Sequence, residues 1–104
     1  MRIFHIALAS EWEQAQQTGC YSTSTLGRSL AEEGFIHASR ADQWEGVQAA
    51  FYADVTEPLV RLEIDTDLLA SLVVEEPPAE GVEETFPHVY GPINADAVVD
   101  VRPL

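Results

Sequence analysis

Gly34-Phe35-Ile36-His37-Ala38-Ser39 is the stretch on which the reading of this chain turns. Side chains along a strand alternate between its two faces, so Phe35, His37 and Ser39 share one side and Ile36 and Ala38 the other. A wholly apolar side backed by a mixed one describes a strand laid over a core, holding an imidazole and a hydroxyl on its far face. Phe4-His5-Ile6-Ala7 and Phe86-Pro87-His88-Val89-Tyr90-Gly91 repeat the design, and together these segments carry all 3 histidines of the chain. Histidine titrates near neutral pH and serves as acid, base, hydrogen-bond partner or metal ligand, so three on separate strands point to one shared cleft.

Working outward, residues 2–8 read as a strand with Phe4, Ile6 and Leu8 on one face and Ile3, His5 and Ala7 on the other. Ser10 and Glu13 have capping-box spacing, Trp12 and Ala15 share a helical face, and Gly19 is placed to end that helix. Residues 20–33 show no period until Leu30-Ala31-Glu32-Glu33, which predicts a covering loop with one helical turn. Within it the run Ser22-Thr23-Ser24-Thr25 reads as flexible and solvated, and Arg28 is the one cation. Ser39 or Asp42 is in position to cap a second helix in which Trp44, Val47, Gln48 and Phe51 recur at helical spacing, so Trp44 and Phe51 read as core anchors. Residues 59–65 form the clearest half-buried strand, Val60, Leu62 and Ile64 alternating with Arg61, Glu63 and Asp65. A helical turn over 67–72, a short strand over 73–75, a mobile acidic loop over 77–85 and a last strand over 97–102 complete the chain. Pro87 confines the strand 86–90 to an edge or bulged position.

Composition narrows the function. A chain of 104 residues, 46% hydrophobic and 22% charged, is sized for one domain with one core. Its formal charge of -13, with 18 acidic residues against 5 basic, removes bulk attraction to nucleic acid or anionic membranes. A few arginines and backbone amides can still hold a small anion locally. No apolar run approaches a signal peptide or a membrane span, which places the chain in the cytoplasm, and the single Cys20 reads as an ordinary small residue.

Three site chemistries compete. A zinc site lacks its spacing, since His-x-His, His-Glu-x-x-His and paired cysteines are absent, and no metal is expected. A hydrolase lacks Gly-x-Ser-x-Gly, and Ser39 lies beside His37 on one strand rather than facing it. A polar cleft in which imidazoles, a serine and a tyrosine orient a nucleotide-like ligand needs neither feature.

The order Phe4-His5-Ile6-Ala7, Trp12, Gly19, Tyr21, Glu33-Gly34-Phe35-Ile36-His37-Ala38-Ser39, Phe51-Tyr52, Leu62-Glu63-Ile64-Asp65 and Phe86-Pro87-His88-Val89-Tyr90-Gly91 resembles the small bacterial family catalogued as domain of unknown function 952. More distantly, the succession of these strands is similar to the ADP-ribosyltransferase superfamily. That likeness implies a split mixed sheet gripping NAD or a related nucleotide, with His5 at the nicotinamide ribose and His37 and Ser39 on the second-strand motif. His88 and Tyr90 then fall near the position of that superfamily's catalytic glutamate. Glu76 is the nearest carboxylate able to stand in for it.

The expectation is therefore a single α+β domain over 1–104 with an ADP-ribosyltransferase-like split mixed sheet and short helices. His5, His37, His88, Tyr90 and Glu76 are the catalytic candidates. Tyr21, Arg28, Phe35 and Ser39 are the ligand contacts. Transferase chemistry on NAD or a nucleotide leads, followed by a noncatalytic small-molecule binding module and then a structural or partner-binding role.

Overall fold

The computed structural model describes residues 1–104. Its central sheet forms around β6 (Leu59–Asp65), where Leu62 and Ile64 are wholly buried while Arg61, Glu63 and Asp65 keep partial access to water. β1 (Arg2–Leu8) and β10 (Val98–Pro103) flank it, both antiparallel, with Ile3 opposite Ile64 and His5 opposite Leu62. Ile3, Ala7, Leu62 and Ile64 enter the main core, and Ile6 joins Tyr52 and Leu59 in a smaller cluster on the opposite face. His5, between Ile3 and Ala7 in the alternation, thus points to the main-core side. Each fully buried Ile or Leu there contributes roughly 1.5–3 kcal/mol through removal of apolar surface from water.

A second antiparallel sheet has β8 (Phe86–Tyr90) in the middle, between β5 (Ile36–His37) and β7 (Leu72–Glu76). Its inner face supplies Ile36, Ala38, Val73 and Val89 to the main core. The two sheets join through one residue pair: Phe4 and Ser39 exchange both backbone hydrogen bonds at 2.7 Å. The sheet is split, as expected, but it is not mixed, because every strand pairing is antiparallel. Parallel neighbours need a long crossover within one sheet. Here helix α1 (Ala9–Thr18) and helix α3 (Trp44–Phe51) each link strands of different sheets. The result is a single small α+β domain with no helix long and apolar enough to cross a membrane.

Several local expectations are corrected. β8 is neither an edge nor bulged despite Pro87, lying in the middle of its sheet with unbroken register on both sides, and the reason lies in the ladder. Ala38 N–H donates to the Pro87 carbonyl at 3.0 Å, so the amide that proline lacks would have faced Ala38, just past the end of β5. One bond is lost, at the point where pairing stops anyway. Residues 20–33 are not an open loop but carry β2 (Cys20–Tyr21), β3 (Thr23–Thr25), β4 (Arg28–Ser29) and helix α2 (Leu30–Glu33). β2 pairs with β9 (Ile93–Asn94), and β3 with β4. The hydroxyl run is ordered by side-chain hydrogen bonds: Ser24 is fully buried and donates to the Phe35 carbonyl at 2.5 Å, and Thr23 donates to Glu11 at 2.5 Å.

Helix starts also differ. Leu8 precedes α1 with no side-chain cap, because Ala9 N–H bonds the Pro58 carbonyl at 2.9 Å and strand pairing carries the chain straight into the helix. The capping box belongs instead to Ser29 and Glu32 at α2. α3 is preceded by Gln43 rather than capped by Ser39 or Asp42, and none of its residues is buried. Phe51 is 71% exposed and Trp44 covers Arg61, so neither anchors the core; Tyr52, one residue past the helix, does. Gly19 ends α1 as expected, its φ of 88° placing the N–H on the Ala15 carbonyl.

Gly91, just beyond β8, has φ 152°, and a Cβ there would lie 2.3 Å from Ser71 Oγ and 2.9 Å from Ser71 Cβ. Gly91→Ala should therefore lower stability by about 1–3 kcal/mol in urea unfolding. Adding Ser71→Gly should recover the steric part but not the backbone part. An unchanged midpoint for the single variant would contradict this geometry.

Candidate functional site

Past the Phe4–Ser39 pair the two sheets diverge, and a cavity of about 480 Å³ opens between them. Phe4, His5 and Ile6 of β1 line one wall, and His37, Ala38 and Ser39 the next. Val47 and Phe51 of α3, with Tyr52, form the third, while Thr25, Pro78, Val82 and Phe86 complete the rim. The lining is chiefly apolar and aromatic, because α3 closes this side of the split: Val47 packs against the Ile6, Tyr52 and Leu59 cluster while Phe51 stays exposed beside the opening. The helix's unburied face, which looked like a core face in the helical spacing, looks onto this space.

His5 braces the split. In an unbroken antiparallel ladder, the His37 carbonyl would next accept a bond from Ile6 N–H. It accepts instead from the His5 ring, Nδ1 to O at 2.5 Å, and the Tyr21 hydroxyl lies 2.9 Å from Nε2. A carbonyl only accepts, so Nδ1 carries the proton and Nε2 receives the Tyr21 hydroxyl. The ring is 3% exposed, and burial pushes its pKa down to about 4, which keeps it neutral in this tautomer. Burial, with the Glu11 charge nearby, pushes the Tyr21 hydroxyl up. The catalytic candidate His5 and the expected ligand contact Tyr21 therefore have their polar atoms engaged with the protein.

The remaining candidates gather on the outer face of the second sheet. His37 and His88 are directly opposite on β5 and β8, with ring centroids 5.3 Å apart and edge to face. Phe35 stacks on His88 at 4.1 Å and lies 5.5 Å from the Tyr90 ring. Glu76, at the end of β7, accepts from His88 Nδ1 at 2.9 Å and from the Tyr90 hydroxyl. The hydrogen bonds from Tyr90 and His88 hold the Glu76 carboxyl below the usual range, and the same contact pushes Tyr90 up. His88 is 1% exposed and its Nε2 has no partner.

His5 and His37 both line the cavity, but the His5 ring is bonded to the protein at both nitrogens and the His37 ring is not. Burial and the neighbouring His88 lower the His37 pKa, against the pull of Glu33, whose carboxylate lies 3.7 Å from His37 Nε2. Arg28 stands 3.7 Å from that same Glu33, its side chain 59% exposed, so it is tied to the site only through the carboxylate. Ser39 is buried and holds the two sheets together through its backbone. No group of three His, Cys, Asp or Glu is placed to hold a metal ion.

Pro78 and Val82, also in the lining, carried no motif signal. Thr25, Val47, Tyr52, Pro78 and Val82 reach the cavity only because three separate segments converge. Gln43 and Arg40 fasten the end of the 77–85 loop by donating to the Thr85 carbonyl at 2.9 and 3.0 Å. Gln43 had a cue in its spacing, since its side chain also accepts from Arg40 N–H at the start of α3.

The buried His5 makes stability depend on pH. Its folded pKa lies below the ordinary value of 6.5, so between pH 6.5 and about 4 the unfolded chain takes up the proton first. The contribution is complete above 6.5 and falls by about 3 kcal/mol as pH drops to 4. Denaturant melts across that window should show a steeper loss for the unmodified protein than for His5→Gln, and parallel curves would contradict the assignment.

Protein CC0527 from Caulobacter crescentus has a similar structure. Its crystal structure is 26% identical, covers 100% of this chain and 86% of its own, and superposes with a TM-score of 0.82. A solution NMR structure of CC0527, also 26% identical, covers 96% of this chain and 81% of that one, with a TM-score of 0.75. No curated protein matches. The family described as "Protein of unknown function (DUF952)" matches residues 6–101, a span that takes in both sheets and includes His37, Glu76, His88 and Tyr90. The chain belongs to that family.

Proposed function

We propose that this domain binds a small, flat, largely apolar ligand in the cavity at the split of the sheet, with His37 as its principal polar contact. The carrying observation is the cavity itself: about 480 Å³ of space walled by Phe4, Ile6, Val47, Tyr52 and Phe86, with His37, Ser39 and Thr25 converging on it. An apolar recess with a few placed polar groups is the usual form of a small-molecule site. His37, whose pKa burial lowers, can donate or accept a hydrogen bond in its neutral form.

A second reading, group transfer from NAD or a related nucleotide on an ADP-ribosyltransferase-like fold, is favoured by Glu76. That carboxylate is fixed between His88 and Tyr90, near where the likeness calls for an acidic residue. The lining suits a heterocyclic ring. It does not suit a pyrophosphate, because Arg28 and Arg40, the cations nearest the site in sequence, are both paired with carboxylates. A cytoplasmic setting and a small-molecule partner, without nucleic acid or membrane, accompany both readings.

Calorimetric titration with nicotinamide, adenosine, ADP-ribose and NAD tests the site. The uncharged rings should bind, and His37→Ala should weaken them by roughly ten- to a hundredfold, the equivalent of 1–3 kcal/mol, with little change in thermal midpoint. A lowered melting temperature with unchanged affinity would make His37 structural. NAD turnover abolished by Glu76→Gln would establish the second reading.

A further inference from the structure

We propose that the ligand of this cavity is an organic cation, an apolar body bearing one positive charge. The inference rests on the small-ligand reading and names its chemical class. The walls come first. Phe4, Phe51, Tyr52 and Phe86 present aromatic rings to the space, and the faces of such rings attract cations. The fold already uses this interaction at the same ring: the Arg61 guanidinium carbon lies 5.0 Å from the Phe4 centroid and 5.0 Å from that of Trp44.

The mouth is acidic. Pro78 and Val82 put the 77–85 loop on the rim, and that loop carries Glu80, Glu83 and Glu84 with no basic residue. Glu84 accepts one bond from Gln43, which leaves its charge intact.

No arginine is left free to receive an anion. Arg2 pairs with Glu63, Arg28 with Glu33, Arg40 with Glu75, Arg61 with Glu63 and Asp100, and Arg102 with Asp100. Glu80, Glu83 and Glu84 of the rim loop form no ion pair, and low-dielectric walls focus the field of such charges into a cleft. At a separation on the order of 9 Å in water, each uncancelled carboxylate favours a monocation over a neutral ligand by about twofold, so three give roughly tenfold at low salt.

A matched series tests this: naphthalen-1-ylmethylamine as cation, naphthalen-1-ylmethanol as neutral body and naphthalen-1-ylacetate as anion, titrated into the intact protein by calorimetry. The amine should bind roughly tenfold tighter than the alcohol at about 10 mM salt, with the gap narrowing at about 0.3 M, and the acetate should bind weakest. Glu80→Gln with Glu83→Gln should reduce the amine's advantage by about fourfold while leaving the alcohol unchanged. Phe51→Leu, at an exposed rim position, should weaken the amine by about threefold and the alcohol much less. Equal or tighter binding of the alcohol or the acetate overturns the charge assignment and leaves the small-ligand site standing. If none of the three binds at about millimolar concentration, the site reading fails and the inference with it.

Discussion

The hydrogen bond from the His5 imidazole to the His37 carbonyl is the contact on which the rest of this architecture depends. Two three-stranded sheets share only the Phe4–Ser39 pair, and at the next rung a side chain stands in for the backbone amide of Ile6. A ring cannot bring two strands as close as an amide does, so the sheets part there. The carbonyl of His37 still has its partner, and separation therefore avoids the penalty of an orphaned buried acceptor. The cavity is the space this substitution leaves, and α3 with the 77–85 loop encloses it.

That brace explains why the sequence pattern was informative about strands and misleading about one role. Phe35-Ile36-His37-Ala38-Ser39 and Leu59–Asp65 follow the period of two closely, and the structure places their faces as the alternation requires. His5 was correctly set on the face opposite Phe4. What alternation could not convey is the register between β1 and β5, which decides that the ring bonds the protein at both nitrogens. Glu76, by contrast, lay close in sequence to its partners across one antiparallel pairing, so its meeting with His88 and Tyr90 was within reach of pattern reading.

The misses share a physical cause. α3 has the spacing of a core helix, but amphipathic spacing reports only that one face is apolar, not what that face meets. In this fold it meets a cavity, which leaves Phe51 mostly exposed and moves the anchoring role to Tyr52. Residues 20–33 lacked an apolar period because hydroxyl-to-backbone and hydroxyl-to-carboxylate bonds hold them, as at Ser24 and Thr23. Pro87 called for an edge or a bulge, yet a central, unbulged strand tolerates it where its neighbour ends. The surplus of carboxylates was plain from composition. Its consequence depended on seeing the arginines paired and the acidic loop folded over the cavity mouth.

Long-range nitrogen–proton correlation spectra of the imidazole side chains test the brace most directly. His5 should show the neutral Nδ1–H tautomer with Nε2 as an acceptor, and hold that form down to a pH near 4. A His5 ring in the Nε2–H tautomer, or one that titrates with a midpoint near 6.5, would mean that it does not donate to the His37 carbonyl and that the split of the sheet has another cause.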